Sequence, residues 1–101
     1  MQLLALSKPA PSIDPEDLAG LIPSEAHHVW QHYLEGFVRH AYFRTGRDDP
    51  GAVLILEADS VDHATAVLDA MPLRRAGLIT FEVIPIGPFV LWDALVTPPA
   101  A

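Results

Sequence analysis

Twenty residues, Glu25 to Arg44 (EAHHVWQHYLEGFVRHAYFR), carry most of the polar chemistry of this chain. They hold four of the five histidines, one of the two tryptophans and both tyrosines. His40 and Tyr42 are two apart, the spacing that puts both side chains on one face of a strand. An imidazole titrates near neutrality and a phenol can donate or orient, so the two suit an acid/base pair, or a satisfied polar pair in a subunit interface. Glu82 stands among Ile79, Phe81, Val83 and Ile84. Facing a cavity, that carboxylate would be desolvated and suited to act as a base; paired with Arg39 or Arg44, it would be a structural ion pair. Arg39 is the candidate anchor for a substrate carboxylate. Trp30 and Tyr33 fall on an apolar helical stripe and serve either as core or as walls of a small-molecule pocket.

His28 and His32 are four apart, and Glu25 and Glu35 extend their stripe. Neutral imidazoles at this spacing can ligate zinc. The stripe 25-28-32-35 lies opposite the apolar stripe 26-29-30-33-37, however, which makes it a solvated or subunit-contact face. No HExxH, no Gly-rich phosphate loop and no GxSxG occurs, and cysteine is absent. No metal site is expected, because such sites need an enclosed geometry held by supporting groups.

The elements that position these residues follow from the pattern. Leu3 to Leu6 is a short apolar run ended by Ser7-Lys8-Pro9, a strand buried on both faces. Asp14-Pro15-Glu16 is a helix start, with Asp as N-cap and Pro at the first helical position. Leu18, Leu21 and Ile22 point inward, and Pro23 kinks the helix or starts a second one. The helical stripe resumes from Ala26, and Gly36 ends it. Val38 to Thr45 is the second strand, with Val38, His40, Tyr42 and Arg44 on one face and Arg39, Ala41, Phe43 and Thr45 on the other. Gly46 to Gly51 turns the chain. Ala52 to Ala58 is a third strand, apolar on both faces. Ser60 caps a helix whose apolar face is Ala64, Val67, Leu68 and Met71, and Pro72 stops it. Leu73 to Gly77 connects to a fourth strand, Leu78 to Ile86. Residues 87–101 form an apolar C-terminal arm.

The order β-α-β-β-α-β predicts an α+β, ferredoxin-like domain: a four-stranded antiparallel sheet with both helices on one face. A chain of 101 residues makes one domain. Half of its residues are hydrophobic, and a second subunit packed sheet to sheet is the simplest cover for the remaining apolar face. The net charge of −7 argues against a nucleic-acid or anionic-membrane surface. The N-terminus lacks a basic stretch and its apolar run is too short for a signal peptide or a span, so a cytoplasmic protein is expected.

Glu35-Gly36-x-x-Arg39-His40, then Arg44, Ser60-Val61 opening a helix, Met71-Pro72-Leu73 and a last strand running to Pro88 resemble the muconolactone isomerase family over most of the chain. Arg75-Ala76-Gly77-Leu78 is similar to the YCII-related proteins of the same dimeric α+β barrel superfamily. The resemblance implies a homodimer or larger homo-oligomer and a small-molecule ligand. It implies a proton shift within a small unsaturated lactone, without metal or organic cofactor. It also implies a lysine in the first strand to stabilise an enolate, where this chain has Leu, Ala and Ser with Lys8 following, and a helical glutamate that Glu25 matches. The combined expectation is a pocket between the first helix and the sheet, walled by Trp30 and Tyr33. His40, Tyr42 and Glu82 serve it as acid/base groups and Arg39 as anchor. A non-catalytic YCII-like binding module and a cofactor-free monooxygenase of the superfamily are the alternatives.

Overall fold

Strand β1, Gln2–Pro9, is the centre of the molecule. It pairs antiparallel with β3 (Ala52–Glu57) on one side and with β4 (Ile79–Ile86) on the other, and β2 (Val38–Phe43) pairs with β3. The sheet order is β2-β3-β1-β4. Helices α1 (Pro15–Leu34), α2 (Val61–Asp69) and α3 (Pro72–Arg75) complete the unit, and a 3-10 helix, Val90–Val96, follows β4. This computed structural model describes residues 1–11, 13–46, 48 and 51–100. Within them the fold is the ferredoxin-like α+β plan that the pattern predicts. The turn expected at Gly46 to Gly51 lies partly outside the described residues.

Alternation along the strands divides the sheet into two faces. Leu3, Ala5, Leu54 and Leu56 point to one side and pack with Ala64 and Leu68 of α2; Leu3 and Leu56 are fully buried. Each such leucine contributes about 1.5–3 kcal/mol by leaving water. Leu18 and Leu21 of α1 pack at the end of this face against Leu73, Leu78 and Ile79. All three helices therefore cover the same side. The opposite face carries Leu4, Leu6, Val53, Ile55 and Ile84, each only partly buried, and no helix among the described residues packs on it.

Three expectations are corrected at the level of elements. Strand one does not stop at Leu6: Lys8 pairs with Thr80 and Pro9 with Ile79, because β4 is long enough to receive them. Pro23 does not divide the first helix, which runs for 20 residues. Asp14 Oδ1 accepts from the Glu16 N–H at 2.9 Å, and apolar contacts on both sides of Pro23 offset the lost hydrogen bond. The connection after Met71 contains the one-turn helix α3, since Pro72 at its first position needs no N–H donor. The predicted exit at Gly36 holds: φ is 88°, and the Phe37 N–H reaches the His32 carbonyl at 3.0 Å.

Strand β2 breaks its own alternation. Val38 faces Leu56 and is buried, but His40 faces Ile55, so Arg39 is the extra residue of a β-bulge. The expected face Val38-His40-Tyr42-Arg44 is thus split. Val38 belongs to the helix-covered side, and His40 and Tyr42 belong to the open side.

Candidate functional site

His40 and Tyr42 stand side by side on the open face. Their rings are parallel to within 8°, with centroids 6.2 Å apart. The bulge is what turns them there, and both are exposed in the single chain. Arg39, at the bulge itself, is exposed next to them.

Glu82 shares that open face but not that place. Tyr42 pairs with Val53, Val53 with Leu6, and Leu6 with Glu82, so the four form one row across the sheet. Tyr42 and Glu82 occupy opposite edges, three strand spacings or about 14 Å apart. The row between them is apolar. Lys8 lies on the same face as Glu82, one diagonal step away at about 7–8 Å, within reach of both long side chains. Lys8 lies within the strand and not beyond it, and the alternation Leu4, Leu6, Lys8 is the signal that the strand continues.

Trp30 and Tyr33 are on the other side of the sheet, with α1. They stack on each other at 5.5 Å and 22°, and they are 58% and 51% exposed. A pocket between α1 and the sheet that joins them to His40, Tyr42 and Glu82 of the same chain is therefore not formed. The sheet stands between the two groups. Open hollows of about 420 and 400 Å³ instead border α1 near α3, the larger lined by His28, Arg75 and Pro72 among others.

The stripe expected to face solvent is partly turned inward. Glu25 is half-buried, and its Oε1 accepts from the Leu73 N–H at 3.0 Å. It serves α3 in place of Met71, which offers no side-chain cap. His32 lies against Phe37 at 5.4 Å, with Nδ1 3.4 Å from Glu35 Oε2. His28 Nδ1 is 2.9 Å from the Ser24 carbonyl. Among the described residues no cluster of three or more His, Asp or Glu side chains has the spacing to hold a metal ion. The helix is rotated from the expected orientation because its apolar band is wider than the surface it can bury. Val29 takes the core position, and Trp30, Tyr33 and Leu34 are left out.

A second polar node closes the far end of the sheet. Ser7 is buried; its Oγ accepts from the Ala52 N–H at 2.7 Å, and its carbonyl accepts from Arg44 Nη2 at 2.6 Å. Arg44 Nε is buried, with no hydrogen-bond partner among the described residues.

No family model matches the sequence, nor does any curated protein at a significant level. Solved structures do match. One is 5-chloro-2-hydroxyhydroquinone dehydrochlorinase from Burkholderia phenoliruptrix AC1100, in complex with 2,5-dihydroxybenzoquinone: 25% identity, TM-score 0.62, covering 86% of this chain and 94% of that one. Another is muconolactone isomerase: 21% identity, TM-score 0.67, covering 87% and 90%. The chain has the fold of the muconolactone isomerase-like, dimeric α+β barrel proteins. Against that fold, two features of the expected family site take new positions here. Lys8 lies in the first strand, on the open face. Glu25 points at α3 and not outward. Glu25→Ala is expected to cost about 1 kcal/mol in urea unfolding, the usual cost of losing a cap. Glu25→Gln keeps an acceptor for Leu73 and is expected to be near neutral. Among the described residues no helix is long and apolar enough to cross a membrane.

Proposed function

We propose that this protein is a small-molecule isomerase or lyase that works by cofactor-free proton transfer on a small oxygenated ring, an unsaturated lactone or a hydroxylated quinone precursor. The observation that carries the reading is the His40–Tyr42 pair, held parallel on an apolar sheet face in a fold shared with two enzymes of such substrates. One neighbour's name describes an isomerisation and the other's a loss of HCl, and both reactions move a proton on a small ring.

The chemistry needs a base for a C–H beside a carbonyl, a positive group for the enolate oxygen, and an acid to return the proton at a new carbon. His40 takes or returns the proton, and Tyr42 orients the imidazole. Glu82 is the second proton-transfer group, and Lys8 beside it stabilises the enolate oxygen. Arg39 holds a substrate carboxylate at the β2 edge. A small ring cannot span about 14 Å, so these groups act together only when His40, Tyr42 and Arg39 come from one subunit and Glu82 and Lys8 from another. Two sheets packed face to face, with a two-fold axis along the strands, lay the β4 edge of one over the β2 edge of the other.

The separation of Glu82 from Tyr42 within one chain also favours a second reading, a non-catalytic binding module. An ultraviolet assay of the purified protein with muconolactone and hydroxylated hydroquinones separates the two. Turnover lost in His40→Ala supports the enzyme. Saturable binding with no turnover by a folded oligomer supports the module.

A further inference from the structure

Helices α1 and α3 meet at the larger of the two open hollows, about 420 Å³ in volume. Its two walls are clamped to each other. Leu21 of α1 packs on the cluster of Leu73, Leu78 and Ile79, and Glu25 Oε1 accepts from the Leu73 N–H at 3.0 Å. A hollow between elements fixed in this way is shaped before any ligand arrives, which lowers the cost of binding.

Three polar side chains converge on it. Ser24 and His28, one turn apart, come from α1, and Arg75 comes from α3. His28 Nδ1 stands 2.9 Å from the Ser24 carbonyl. A carbonyl oxygen only accepts, so Nδ1 carries the hydrogen of the neutral ring. Nε2 is then the acceptor that His28 brings to the hollow it lines. Asp69 engages Arg74, with Oδ1 3.3 Å from Nε. No carboxylate among the described residues pairs with Arg75. With 13 Asp and Glu against 6 Lys and Arg, that is not for want of acidic partners in the chain. Leu21, Ala70 and Pro72 supply apolar wall.

The neighbouring hollow, about 400 Å³, shares Leu21 and Ala76 with the first but is lined by Glu16 and Asp17 and by no basic residue. The two differ in sign. An anion is drawn to the first and repelled by the second.

We propose that the α1–α3 hollow binds a small hydroxycarboxylate with an apolar body. The guanidinium fork of Arg75 takes the carboxylate. His28 Nε2 accepts a hydrogen bond from the hydroxyl, and Leu21 and Pro72 cover the apolar body. The volume falls within the range of about 300–1,000 Å³ usual for small-molecule sites. The hollow is on the helix side of the sheet, and His40, Tyr42 and Glu82 are on the other. The inference therefore does not rest on the proposed catalysis at the sheet face.

Mandelate is a suitable probe, because it joins a carboxylate, a hydroxyl and an apolar ring. In a two-dimensional NMR titration, the amide signals of Ser24, His28, Arg75 and Ala76 are expected to move and to saturate. Mandelamide, which has no charge, is expected to bind on the order of 10–100-fold more weakly, the loss of hydrogen bonds to a charged group. Arg75→Gln is expected to weaken mandelate to the same degree, with its own amide spectrum showing that it is folded. Phenylacetate lacks the hydroxyl and is expected to bind more weakly than mandelate, and His28→Phe to remove that difference. Mandelamide binding as tightly as mandelate would overturn the proposal. So would a folded Arg75→Gln that keeps the affinity, or shifts that never saturate or that saturate only around His40.

Discussion

Gly51→Ala is expected to destabilise the fold by about 2–3 kcal/mol, the cost of forcing an atom into a packed site. A Cβ at this position runs into the Ser7 carbonyl oxygen and comes within 2.6 Å of Arg44 Nη2. The obstacle is backbone, so it cannot swing away. Relief requires β1 and the start of β3 to part, and that breaks two interactions at once: Arg44 to the Ser7 carbonyl, and the Ala52 N–H to Ser7 Oγ. Gly87→Ala is the control, because nothing lies within 4 Å of a Cβ there, and it should stay within about 0.5 kcal/mol. Urea unfolding at fixed protomer concentration reads both. A Gly51→Ala midpoint equal to that of Gly87→Ala would show that the Ser7–Arg44–Gly51 node is looser than drawn.

His40→Ala and Glu82→Gln are each expected to lower turnover about 10²–10⁴-fold, the usual contribution of a general acid or base. Both side chains are exposed in the single chain, so the stability of the protomer, as distinct from that of the dimer, should move by no more than about 0.5 kcal/mol. Large losses of activity without loss of fold separate a chemical role from a structural one. Equal losses of both would return the two residues to the interface role that their sequence also allows.

The secondary structure was legible where a local rule governs it. Asp14-Pro15 and Ser60 start helices through their own side chains, and Ser60 Oγ accepts from the His63 N–H at 3.0 Å as expected of a cap. Gly36 ends α1 because it can take a positive φ. The open sheet face was legible as well, from the double-sided apolar run Ala52 to Leu56. The site was less so. A bulge adds a residue without altering composition, so nothing in Val38-Arg39-His40 reports that the alternation slips there. Glu25 is drawn inward by an amide 48 positions away, which a helical wheel does not contain. The 14 Å between Tyr42 and Glu82 follows from strand order, and strand order is fixed by packing of the whole domain. The residue types were readable, but which of them share a site was not.

In the proposed dimer, His40 of one subunit and Glu82 of another serve the same site. Mixing His40→Ala with Glu82→Gln tests it most directly. After the two inactive variants are dissociated and reassembled in equal amounts, half the dimers are mixed, and each mixed dimer has one of two sites with both groups intact. Turnover should return to about a quarter of the unsubstituted value. Mixed dimers, verified by mass, that remain as inactive as either parent would contradict the shared site.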